Sequence, residues 1–245
     1  MSGPHLAIPA AHQSMKYAAV FAVLGLMLAA YAIGFGGWGL LLLGPAASFL
    51  VVALAYAAAR PGLLGKRADG HLARWALALH LPFFALTWGF WHGHRWLSRK
   101  PACHEVVPGV WIGRRLLPAE VPPGVTLVVD LTAEFPERPA VRSGRAYLCL
   151  PTLDGTPSAL DPAVAAAEQA ATWPGGVLIH CGFGYERTGV FAAAVLLARG
   201  HAADPAAALE LVRVARPGVR PNPAQLLRLQ EIAARCLRTD KHNLV

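Results

Sequence analysis

The chain has 245 residues, 55% apolar and only 15% charged, against roughly 45–50% and about 25% in soluble domains. Of the net charge of +8, seven belong to residues 1–100, where eight Lys/Arg face a single acid, Asp69; residues 101–245 carry fourteen against thirteen. A second half so nearly neutral, without a basic stripe, argues against a nucleic-acid partner, and cations bordering apolar runs suit anionic lipid headgroups instead.

Between Lys16 and Arg60 lie 43 residues without Asp, Glu, Lys or Arg. A spanning helix needs about 20 apolar residues, so this run predicts a transmembrane hairpin of two helices, 17–35 and 38–59, with Gly34, Gly36 and Gly37 in the turn. It is too long for the apolar core of a signal peptide, about 7–15 residues. A third apolar segment, Trp75 to Trp91, is shorter and carries His80 and Pro82; it either spans or lies in the interface. Three spans would put the basic loop 60–74 and the basic stretch Arg95, Arg99, Lys100 on opposite faces, against the positive-inside tendency. A non-spanning third segment keeps both on one face. Charge leaves this choice open.

From residue 101 the pattern becomes that of an α/β domain. VVPGVWIG reads as a short hairpin or edge strand, TLVVDL (126–131) and AYLCL (146–150) as buried strands, and GGVLIH (175–180) as another. Helices are expected from Asp161 (N-cap) and Pro162 to about Trp173, over 188–199, over 204–215 behind another Asp-Pro start, and along PNPAQLLRLQEIAARCL. Strands alternating with helices imply a central, mostly parallel sheet covered on both faces. The division is a membrane anchor over 1–100 and a second domain over 101–245. Cys103, Cys149, Cys181 and Cys236 have no paired spacing, which speaks against a disulfide framework and against C-x-x-C zinc.

The informative stretch is VLIHCGFGYERTGV, 177–190. A strand running into Cys181, a glycine-bearing turn and a helix opening at Thr188 aim backbone N–H groups into one concavity, an anion site that also favours a thiolate. Gly182 and Gly184 allow unusual backbone angles and close phosphate approach. Arg187 can fold back to hold two phosphate oxygens, and the Thr188 hydroxyl can hydrogen-bond the sulfur.

His180-Cys181 through Arg187-Thr188-Gly189 resembles the H-C-x5-R-[S/T]-G signature of the protein tyrosine phosphatase superfamily, and the domain size is similar to its dual-specificity branch. VWIG, VVDL and ARPGVRPNPAQLLRLQ add to the likeness, which covers about 104–237. The resemblance implies a dual-specificity phosphatase-like α/β fold, a phosphocysteine intermediate and no metal or other cofactor. Cys181 would be the nucleophile and Arg187 the phosphate clamp, with Gly182, Phe183, Gly184, Tyr185, Glu186 and Thr188 completing the phosphate loop. His180 would hold the loop by hydrogen bonds, and Asn222 would brace the end of the fold. Asp154, 27 residues before Cys181, is the best match for the general acid, with Asp161 as runner-up and Asp130 as a structural residue.

The expected activity is hydrolysis of phosphate monoesters at a membrane. The substrate is either a phosphoprotein (Tyr/Ser/Thr) or a lipid monophosphate such as phosphatidylglycerophosphate. Glu186, if it faces the site, repels a second phosphate and disfavours polyphosphoinositides. The alternative is a phosphate-binding pseudophosphatase serving as a membrane-bound interaction module. The expected location is a bacterial inner (cytoplasmic) membrane, with the catalytic domain on the cytoplasmic face.

Overall fold

A computed structural model describes residues 11–242; residues 1–10 and 243–245, at the ends of the two domains expected above, lie outside the described residues. Helix α1 (Ala11–Phe35) and helix α2 (Leu43–Ala57), joined by a 3-10 turn over Gly37–Leu42, form the hairpin. Tyr17 meets Tyr56, and Phe21 meets Phe49 and Tyr56, so the helices run antiparallel. The chain reverses at Gly36 and Gly37, both with positive φ, while Gly34 stays inside α1. Segments Ser14–Phe35 and Gly37–Ala57 are each long and apolar enough to cross a membrane. Their outer faces are apolar as well: Ile33 is 71% and Trp38 86% exposed, surface that water solvates poorly.

Helix α3 (Arg74–Leu97) is longer than the pattern suggested and keeps Pro82 in its interior. Twenty-four residues make a rod of about 36 Å, and it is fastened to the second domain along its length. Before its first turn, Lys66 reaches Asp130 at 2.5 Å and Gly70 accepts a hydrogen bond from the Glu137 amide. Midway, the Trp88 and Trp91 indoles donate to the carbonyls of Glu134 and Gly182. In its last turn Arg95 makes a two-pronged ion pair with Glu120, at 2.8 and 2.9 Å. Helix α3 therefore lies along the α/β domain.

The second domain is built on a five-stranded sheet: β1 (Cys103–Val107), β2 (Val110–Arg114), β3 (Val125–Thr132), β4 (Ala146–Thr152) and β5 (Gly176–Cys181), in the order β1-β2-β5-β3-β4. Only the β1–β2 hairpin is antiparallel. Side-chain alternation sorts the core into two layers. Leu127, Val129, Val177 and Ile179 pack under α5 (Leu160–Ala171), α6 (Glu186–Ala198), α7 (Pro205–Ala215) and α8 (Pro223–His242), with α6 almost wholly buried. Val128 and Leu178, on the opposite face, are covered by Leu116 and by Val141 of the short α4 (Pro139–Arg142). The second face is thus covered by loops and one helical turn. Asp204 caps α7 through the amides of Ala206 and Ala207. Asp161 does not cap α5: the N-cap is Ala159, and Asp161 sits in the first turn, where a negative charge still favours the helix dipole.

The buried Lys66–Asp130 pair joins the two parts of the chain. Asp130 also accepts from the Tyr147 hydroxyl and from Thr132, so its oxygens are saturated. Burial alone would raise its carboxyl, yet the Lys66 charge, and then His180, hold it well below the usual range. Its ionisation therefore contributes stability above the unfolded carboxylate value of about 3.9, and loses it as pH falls below that toward the folded value. Asp130→Asn strands the Lys66 ammonium and should cost about 3–5 kcal/mol near neutrality. In thermal melts the gap between wild type and variant should narrow as pH is lowered from about 4; a gap independent of pH would contradict this account.

Candidate active site

Strand β5 lies between β2 and β3, so its last residue, Cys181, emerges at the carboxyl edge of the sheet centre, the usual ligand position in open α/β sheets. The chain then turns through 182–185 and enters α6 at Glu186, two residues earlier than predicted. Gly184 makes the turn: its φ is +76°, and a Cβ there would strike the Gly113 backbone at 2.3 Å. Gly182 needs no left-handed conformation; a Cβ on it would press on Phe135 at 3.3 Å. The Gly184 amide points at the Cys181 sulfur, with N···Sγ of 3.2 Å.

Arg187, in the first turn of α6, is 4% exposed; both terminal nitrogens of its guanidinium have acceptors, while the buried Nε has none. Glu134 takes both forks at 2.8 and 3.0 Å, the Thr152 carbonyl accepts at 2.8 Å, and an Asp154 oxygen lies 3.0 Å away. Burial alone would push the guanidinium down, but Glu134, Asp154 and the Cys181 sulfur hold it well above its ordinary value. Asp154 itself is half exposed and shares a cleft of about 280 Å³ with Cys181, Glu186, Tyr17, Phe90, His94, Phe183 and Tyr185. Glu186 faces this cleft, and burial, then Asp154, push its carboxyl up.

The structure brings Cys181, Arg187 and Asp154 together. It leaves Asp161 outside this cleft, 82% exposed and paired with Arg235 at 3.4 Å. The Thr188 hydroxyl is buried without a hydrogen-bond partner and makes no bond to sulfur in this state. His180 does not bond the loop either: its Nε2 lies 3.0 Å from Glu137 Oε2. Asn222 donates to the Gly155 carbonyl at 2.9 Å and exchanges bonds with Gln225, which tethers the turn after Asp154.

Several supporting residues gave no sequence signal. Glu134 orients Arg187, Trp91 and the Arg115 amide both donate to the Gly182 carbonyl, and Arg216 donates to the Phe183 carbonyl while stacking over Tyr185 at 4.7 Å. The loop carbonyls are thereby turned outward, which leaves the amides to face an anion. Asp130, Glu137 and His180 offer ligand atoms within 4.8 Å of one another, a conceivable cation cluster. Lys66 already supplies a positive charge on Asp130 there.

No family model and no curated relative matches the chain. Solved structures do. A glycine-to-alanine mutant form of Tk-PTP is 25% identical with a TM-score of 0.50, covering 56% of this chain and 98% of its own. A mouse putative dual specificity phosphatase complexed with zinc tungstate is 25% identical (TM-score 0.48; 58% and 93% covered), and PTPMT1 in complex with PI(5)P is 19% identical (0.46; 57% and 99%). The α/β domain has the dual-specificity phosphatase-like fold of the protein tyrosine phosphatase superfamily, and with it the layout of a phosphoric monoester hydrolase.

Losing one charge-assisted bond of a buried pair costs roughly 1.5–3 kcal/mol, about 10–100-fold. Glu134→Gln should lower kcat/KM on an aryl phosphate by that factor, and Trp91→Phe by less. Unchanged kinetics in both variants would mean that neither contact positions the loop.

Proposed function

We propose that the chain is a membrane-bound, cysteine-dependent phosphatase that hydrolyses phosphate monoesters through a phosphocysteine. The observation carrying this reading is that Cys181 and Asp154 line one cleft at the start of α6, with the buried Arg187 guanidinium behind it, 3.0 Å from Asp154. The substrate phosphate displaces Asp154 from Arg187 and takes its place on the guanidinium and the amides of 182–187. Cys181 attacks as the thiolate, in line with the ester oxygen; the S–P bond forms as the P–O bond breaks, while Arg187 and the amides hold the equatorial oxygens. Once off Arg187, Asp154 takes up a proton from solvent in the substrate complex and gives it to the leaving oxygen. It then takes one from the water that hydrolyses the S–P bond, returning inorganic phosphate and free thiolate. Thr188, whose hydroxyl has no other partner, donates to the departing sulfur.

The Glu186 carboxylate lines the cleft and repels a second phosphate, so a monophosphate is the substrate, carried on a protein side chain or on a lipid. The α1–α2 hairpin anchors the protein. With α3 lying on the catalytic domain, Arg60, Arg67, Arg95 and Arg99 all share that domain's side, which the positive-inside tendency places in the cytoplasm.

With chelator present, Cys181→Ser should abolish turnover of an aryl phosphate and Asp154→Asn should lower kcat by roughly 10²–10⁴-fold. Metal-independent turnover that survives Cys181→Ser would refute the assignment. For topology, Arg67→Cys and Arg99→Cys should react with an impermeant thiol reagent from the same side of the membrane and Trp38→Cys from the other; labelling of the first two from opposite sides would refute the arrangement.

A further inference from the structure

Resting on the phosphatase reading above, we propose that the opening between α1 and α3 binds the acyl chain of a lipid phosphomonoester, whose headgroup phosphate thereby reaches Cys181 from the plane of the membrane. Past Asp154 the catalytic cleft borders a second, largely apolar cavity of about 370 Å³. The two share Tyr17, Phe90, Asp154 and Phe183 in their linings, so they adjoin along these side chains. Walls of the apolar part come from the helices on either side of α2. Phe21 of α1 and Phe83 of α3 meet at 5.6 Å and close it at depth, while Leu86 and Phe90 of α3 are 60% and 67% exposed and leave its rim open sideways.

The position of this opening relative to the hairpin identifies its occupant. Tyr17 stands at the catalytic end of a helix whose remaining eighteen residues carry no charge, so the sulfur sits at headgroup depth when that helix spans. From there the cavity follows α1 from Tyr17 to Phe21, toward the hydrocarbon. A phosphopeptide leaving the cleft this way would have to bury backbone N–H and C=O groups against Phe21, Phe83 and Leu86, where few polar partners exist. A hydrocarbon chain has no such requirement, and each buried methylene strengthens binding about fourfold.

The test uses full-length protein in nanodiscs and monoalkyl phosphates from ethyl to octyl, below their micelle concentrations. Wild-type kcat/KM should rise at least tenfold across the series. Thr87→Trp, which fills the apolar cavity from a residue outside the catalytic cleft, should flatten the rise and leave aryl phosphate turnover unchanged. Leu86→Trp at the rim is the second variant, and aryl phosphate turnover reports that either one folds. A flat series in wild type, a rise undiminished in both tryptophan variants, or a phosphotyrosine peptide turned over with higher kcat/KM than octyl phosphate would overturn the proposal. Wild-type protein inert toward aryl phosphate is a separate result, and it would remove the phosphatase reading itself.

Discussion

The guanidinium of Arg187 is the point on which the catalytic domain is organised. It is a buried cation that needs acceptors on every side, and it draws them from three places: Glu134 beyond β3, the Thr152 carbonyl at the end of β4 and Asp154 beyond it. A buried arginine without such partners would carry a desolvation penalty of several kcal/mol. Satisfying it forces the ends of β3, β4 and β5 into one constellation. Of the two carboxylates on the guanidinium, Asp154 is the more exposed.

A second constraint acts on the loop from outside. Amides can face an anion only if the intervening carbonyls are turned away and paired elsewhere. Trp91 and the Arg115 amide take the Gly182 carbonyl, and Arg216 takes that of Phe183. Trp91 belongs to α3, so a helix from the apolar part of the chain finishes the phosphate loop of the α/β domain. Lys66 on Asp130 and Arg95 on Glu120 hold that helix at its two ends. The apolar core beneath it is shared too, since Ala133 and Leu153 of the α/β domain pack with Phe49, Tyr56 and Phe84. The apolar helices and the α/β domain thus pack together, and α3 serves as the brace between them.

Helix α3 supplies both a clamp for the Gly182 carbonyl and one wall of the apolar cavity beside the cleft. Phe183, at the middle of the loop, packs edge-on against Phe90 and His94 of α3, so the residue beside the phosphate also lines the way in.

Much of this was legible in the amino-acid sequence because it depends on local order. A charge-free run of 43 residues suffices for two spans, β-branched stretches mark β3 and β5, Asp204-Pro205 starts α7, and the Cys181–Arg187 spacing located the turn between β5 and α6. Three matters were decided only in three dimensions. The disposition of α3 follows from ion pairs and indole bonds to residues up to 91 positions away, which no periodicity encodes. Asp161 looked like a cap or an acid by its neighbours, yet burial and pairing place Asp154 on Arg187 and leave Asp161 with Arg235. Glu134 and Glu137, three residues apart, serve Arg187 and His180 separately, and nothing in AEFPERP distinguishes them from surface glutamates. Local pattern is set by backbone geometry and solvent; the choice of partner for a buried charge is set by which chain segments the fold brings within 3 Å.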